Sequence, residues 1–307
     1  NDKAVLFGDV TIQSPKVSVD EFMVFDNKSS TSTSARTSST ATGVILIPEN
    51  FKINVSANAN QVFFEGIEMT NFKGNLSVDK GKVNLNQTNF DLIGSAFAMT
   101  GSYKPISPRM ANFSYTIKAN DFDIQKAYKE ITIFRELASA AESVFGLVSL
   151  DYSLSGVLDE NMMPKLKTIQ GQGVLTLEDI QFKGFKLFNA VSEKTSFQSL
   201  HDAKASKVDV KTSIKNNVMT IEPTKFKIAG FRPRIQGKVT LDGRMNLGFR
   251  LGLPPFGIIG IPMTITGDAD DFKIKLGKQE EEALEETDEE YENYKKTLEP
   301  SITTEVN

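Results

Sequence analysis

The sequence predicts an all-β protein with minor α content: a long curved antiparallel sheet of repeated strand meanders, with one amphipathic helix between two repeats. Three observations carry this. Apolar and polar residues alternate along most of the chain, as in "FKINVSANA" (51–59) and "MNLGFRLGL" (245–253). Period-two patterning gives strands with one apolar and one polar face, the habit of antiparallel sheets. Turn signals separate the runs: "DKGK" (79–82), "KPISP" (104–108), "DENMMP" (159–164), "KNN" (215–217) and "LDGR" (241–244). Finally, "NFDLIGSAFAMTG" (89–101) recurs as "KFKIAGFRPRIQG" (225–237). Gly94 falls on Gly230 and Gly101 on Gly237, each 136 positions on (230 − 94, 237 − 101). Val78, Leu85 and Thr88 fall on Ile214, Ile221 and Thr224 at the same offset, so the match is an internal repeat.

Residues 1–42 read as an N-terminal unit, with two or three short strands over 4–26 and a flexible Ser/Thr-rich loop over 27–42. The loop has too little apolar surface to offset the entropy of ordering it. Residues 43–122 form the first β repeat, where Phe113, Tyr115 and Ile117 share a face. In 123–146, Ile124, Tyr128, Ile131, Phe134, Leu137, Ala138, Ala141 and Phe145 recur at helical spacing, and Gly146 is a plausible stop. Residues 147–278 form the second repeat, with Met245, Leu247, Phe249 and Leu251 on one face and a short helix over 185–195. Residues 279–307 are an acidic tail, read as solvated helix or disorder.

Composition narrows the function classes. The chain has 307 residues, 39% hydrophobic, enough for a core. There is no cysteine, which removes disulfides, thiol chemistry and thiolate metal sites. The net charge of −4 argues against a nucleic-acid partner. The longest uncharged apolar stretch, residues 251–267, contains three prolines and falls short of the ~20 residues that span a bilayer.

Little catalytic chemistry is visible. His201, the single histidine, has Asp202 beside it in sequence, badly placed to orient it as a base, and reads as a surface residue. Asp268, Asp270 and Asp271 lack the further oxygen ligands and glycine-centred turn of a calcium loop and read as a polar turn. No phosphate-binding glycine loop or nucleophile elbow occurs. No catalytic residue, cofactor or metal is therefore nominated, and the chain is expected not to be an enzyme. Arg232, Arg234, Arg244 and Arg250 lie near the hairpins of the second repeat; they either decorate a solvent face or meet anionic headgroups.

"LIPENFKINVSANANQVFFEGIEMTNFKGNLSVDKGKVNL" and "GKVTLDGRMNLGFRLGLPPFGIIGIPMTITGDADDFKIKLGK" together resemble the C-terminal region of AsmA-family proteins of Bacteroidota type, over roughly 43–277. The resemblance lies in strand texture and turn placement and includes no catalytic signature. It implies a periplasmic protein tethered to the inner membrane by an N-terminal helix missing from this sequence. It also implies kinship with bridge-like lipid-transfer proteins, whose repeating β-grooves carry phospholipid acyl chains, and a role in phospholipid transport or outer-membrane biogenesis. The Ser/Thr-rich loop and the acidic tail depart from the family pattern.

On that reading Phe113, Tyr115, Ile117, Met245, Leu247, Phe249 and Leu251 are candidates for an acyl-chain groove, and Gly94, Gly101, Gly230 and Gly237 are structural repeat glycines. Alternation looks the same in an open groove and in a dry two-sheet core. The alternative is therefore a structural or adhesive β-sandwich array at the cell envelope that binds protein or glycan. The absence of tryptophan and the six tyrosines count against the aromatic loops of an adhesin.

Overall fold

A computed structural model describes residues 5–19, 21, 44–64, 66–183, 186–195, 197–200, 204–254, 256–268 and 271–277. The expectations for 27–42, His201, Asp270 and 279–307 lie outside the described residues.

Among the described residues the alternating runs become fourteen strands of one open sheet, joined in chain order. They are β1 (Leu6–Ser18), β2 (Phe51–Phe64), β3 (Ile67–Asp79), β4 (Lys82–Leu92), β5 (Ser95–Ser107), β6 (Met110–Asp123) and β7 (Val144–Leu158). The second half adds β8 (Gln170–Phe182), β9 (Lys204–Lys215), β10 (Val218–Lys225), β11 (Arg232–Thr240), β12 (Met245–Gly252), β13 (Gly260–Gly267) and β14 (Phe272–Leu276). The described strands form no second sheet, so the apolar face is covered by the curl of its own sheet and by helices.

Two elements differ from the sequence reading. Among its described residues the first unit holds one 13-residue strand, and β1 pairs parallel to β2, with Leu6 opposite Phe51 and Ile12 opposite Ala57. Residues 19–50 supply the dozen or more residues that a parallel connection needs. The single helix over 123–146 is instead broken into α1 (Ile124–Glu130), α2 (Thr132–Leu137) and a 3-10 turn over 139–143. Asp123 caps α1 by accepting the Lys126 N–H at 2.8 Å. Ile131 then leaves the helix at φ −111°, ψ 103°. Ile131 is β-branched, and such side chains lose χ1 freedom in a helix. Gly146 stops no helix; it lies inside β7 at φ +131°. The short helix expected over 185–195 is present as α3 (Lys186–Thr195).

The repeat is structural. Ile93–Gly94 and Ala229–Gly230 are two-residue turns with both φ positive (51° and 86°, 46° and 85°). This is the turn whose twist suits a hairpin. Gly101 faces Tyr115 across β5–β6, and Gly237 faces Leu247 across β11–β12. Even the bulge is copied. β4 gains a residue between Leu85 and Thr88 opposite Gly101 and Met99, and β10 gains one between Ile221 and Thr224 opposite Gly237 and Ile235. The copies differ in their connections. β2 and β3 join through Glu65–Gly66, whereas β8 and β9 are separated by residues 183–203, which carry α3.

Candidate functional site

Cross-strand register puts every groove candidate on the same face. Phe113, Tyr115 and Ile117 of β6 lie opposite Gly156, Leu154 and Tyr152 of β7. From β7 the row runs through Gly171 and Gly173 to Ile214 and Thr212 of β9, then to Met219 and Ile221 of β10. It continues through Val239 and Gly237 to Met245 and Leu247. The apolar face is therefore continuous from one repeat into the other.

Burial divides the candidates. Met245, Leu247 and Phe249 line a cavity of about 460 Å³. Leu251 is fully buried beside it in the same core, and Ile117 packs against that core from the first repeat. Phe113 and Tyr115 belong to a separate cluster with Val44, Tyr103, Ala111 and Leu158. Their rings stack at 5.5 Å. The structure thus places three of the seven candidates on the cavity wall and leaves Phe113 and Tyr115 in a second cluster.

The cavity exists because the sheet curls. Its wall includes Leu177, Ile180 and Phe182 of β8 and Phe272 of β14. These strands are six places apart, roughly 29 Å in a flat sheet. Crowding on the concave side is visible at Gly237, where a Cβ would lie 2.3 Å from the Asn246 carbonyl oxygen. Phe188 of α3 roofs the space, packing edge-on against Phe182 at 4.7 Å and facing Phe249 at 6.4 Å.

Polar wall groups concentrate at one end. Tyr128 of α1, Glu142, Ser143 and Lys186 come from the helical segments, and the sheet contributes apolar side chains apart from Thr224. The segments are tied together: the Gln125 side chain donates to the Ala141, Glu142 and Val144 carbonyls, and the Lys183 N–H donates to Ser143 O at 3.2 Å. The cavity therefore has a polar end near the end of β8 and an apolar part towards Val239, Met245 and Phe272.

The β8 wall escaped sequence reading for a definite reason. Asp179 takes φ +51°, and β7 and β8 shift register between Phe145 and Leu147. Leu177 and Ile180, three apart, then reach the same cavity, which breaks period two. Asp121 in β6 (φ 48°) and Asn71 in β3 (φ 52°) make similar breaks, and short polar side chains tolerate that conformation best.

The other candidates are placed as follows. Arg244 pairs with Asp242 at 3.8 Å. Arg250 donates to the carbonyls of Gly257 at 3.0 Å and Ile258 at 2.6 Å. Arg232 and Arg234 are exposed. The Asp268 N–H donates to Asp271 O, so these two close a turn. Among the described residues no group of three or more His, Asp or Glu comes together, and no helix is long and apolar enough to cross a membrane. Comparison of the chain with protein-family models, curated proteins and solved structures found no match.

Proposed function

We propose that this chain binds phospholipid acyl chains on the concave face of its sheet and serves phospholipid transport or outer-membrane biogenesis in the manner of AsmA-family proteins. The observation that supports this most is the cavity of about 460 Å³, walled by aliphatic and aromatic side chains and polar at one end. Its volume falls in the range of about 300–1,000 Å³ typical of ligand sites. A packed core would leave no such space, because interiors reach crystal-like density. Each enclosed methylene contributes about 0.8 kcal/mol, so one partly enclosed chain is enough for retention.

The AsmA resemblance adds the setting: a periplasmic protein tethered to the inner membrane, with no enzymatic step. The experiment is native mass spectrometry of the purified chain, followed by extraction and lipid identification. Co-purified phospholipid at about one per chain is the expected result. A chain that stays lipid-free after incubation with phospholipid vesicles overturns the proposal.

A further inference from the structure

We infer that the hairpin tip between β12 and β13, through its described residues 253, 254 and 256–259, docks this end of the sheet on an anionic lipid bilayer. Phe256, Ile258 and Ile259 are 70%, 81% and 75% exposed, more than any other large hydrophobic residue among the described ones. Solvent exposure of three large apolar side chains at one turn is unfavourable unless something covers them.

The tip is also built. The Arg250 guanidinium grips the Gly257 and Ile258 carbonyls, the Gly257 N–H donates to Leu253 O, and the Leu253 N–H donates to Ile259 O. Its apolar groups are therefore presented on an ordered backbone, and little entropy is lost when they insert.

Charge identifies the partner. Residues 223–267 contain seven Lys and Arg and one acid, Asp242, in a chain of net charge −4. Asp242 lies at the opposite end of the strands, in the β11–β12 turn with Arg244. Lys225, Lys227, Arg232 and Arg234 are exposed. Arg232 pairs in register with Gly252, at the base of the tip. An apolar point flanked by exposed cations suits a bilayer interface with anionic headgroups. A protein partner needs a broad complementary patch, about 800 Å² a side, which a protruding tip does not offer.

The placement gives docking a consequence. The end of β8, the start of β9 and the β12–β13 connection all lie at one end of the sheet, linked through the Ala205–Ile228 and Ile228–Phe231 bridges and the Arg232–Gly252 pair. That end also carries the polar wall groups of the cavity, so a docked tip turns them towards the membrane. The inference goes beyond lipid binding and does not require it.

The chain has no tryptophan, so Phe256→Trp creates a single reporter at the tip. The variant is mixed with vesicles of phosphatidylcholine alone and of phosphatidylcholine with an equal part of phosphatidylglycerol. The expected result is a blue-shifted emission, quenched by bromine-labelled acyl chains, on the anionic vesicles only and weakened by salt. In co-sedimentation, combined Phe256→Ser, Ile258→Ser and Ile259→Ser should cut binding by about tenfold or more with an unchanged melting temperature, since these groups are exposed. Lys225→Gln with Lys227→Gln and Arg232→Gln should remove the preference for anionic vesicles. An unshifted tryptophan, or vesicle binding indifferent to the serine variant, overturns the inference. Vesicle docking by a chain that retains no phospholipid in solution would sink the proposed function and leave the docking tip standing.

Discussion

Gly237 of β11 lies directly across from Leu247 of β12, so close that a Cβ on the glycine would sit 2.9 Å from the Leu247 Cα. The glycine also holds φ +137°. At that φ a Cβ would point at the neighbouring strand, and only a residue without a side chain fits there. Gly101 occupies the equivalent place, where a Cβ would meet the Ser114 carbonyl oxygen at 2.3 Å.

Gly237→Ala is therefore expected to cost about 3 kcal/mol, from backbone strain and steric overlap together. Gly230→Ala meets nothing closer than Pro254 Cγ at 3.9 Å and bears the strain of φ +85° alone. Its cost should be about 1 kcal/mol. Urea unfolding of both variants checks the order; equal losses would mean that close strand approach does not constrain Gly237.

A second comparison uses the repeat as its own control. Thr88 and Thr224 sit at matching positions beside the copied bulge, and both are buried. Thr224 Oγ1 donates to Glu222 O at 2.9 Å, whereas Thr88 Oγ1 has no hydrogen-bond partner among the described residues. Thr88→Val removes an unsatisfied buried hydroxyl and should stabilise by about 1 kcal/mol. Thr224→Val should destabilise by about the same amount. Thermal melts showing the same sign for both would contradict the hydrogen-bond assignment.

Much of this architecture is legible in the sequence, and the particular residues explain why. Met245, Leu247, Phe249 and Leu251 alternate without interruption, and β12 is correspondingly regular. The repeat is readable because its glycines answer to geometry: Gly94 and Gly230 make a turn, and Gly101 and Gly237 admit a neighbouring strand. Broken phase is harder to read. Leu177 and Ile180 line one cavity only because Asp179 adopts a left-handed conformation, and one aspartate does not announce a bulge. The helical periodicity over 123–146 is also misleading, because Phe134 reaches the core from α2 whereas Phe145 belongs to β7 and lies under the Lys183 ammonium. The separation of Phe113 and Tyr115 from the cavity depends on the segment around Val44, which lies far off in sequence and covers them.

Alkaline pH should unfold the protein partly through its tyrosines. Burial pushes the Tyr103 and Tyr115 phenols from 10.0 up to about 12, and burial raises Tyr152 as well. Between those values the unfolded chain releases phenolic protons that the folded chain keeps. Stability from this source is fully present below pH 10.0 and falls as pH rises towards about 12. Ultraviolet titration should show these three ionising late, and Tyr115→Phe should flatten the loss. An unchanged alkaline slope in that variant would remove Tyr115 as a contributor.

The cavity makes the last prediction, and it turns on sign. Val210 lines the open space, whereas Leu251 is fully buried on the same face without forming part of the wall. Enlarging a side chain in a filled core forces neighbours aside and costs about 1–3 kcal/mol. Leu251→Phe should show that cost. Val210→Phe projects its added carbons into empty volume, where they gain contacts without displacing any. Its melting temperature should hold or rise, and the phospholipid carried by the chain should fall because the ring occupies the acyl site. The two variants add aromatic bulk to the same core, so a difference between them reports the space alone. If Val210→Phe lowers stability as much as Leu251→Phe, the cavity is closed in solution. If it is stable yet carries as much phospholipid as the parent, the acyl chain lies elsewhere on the sheet.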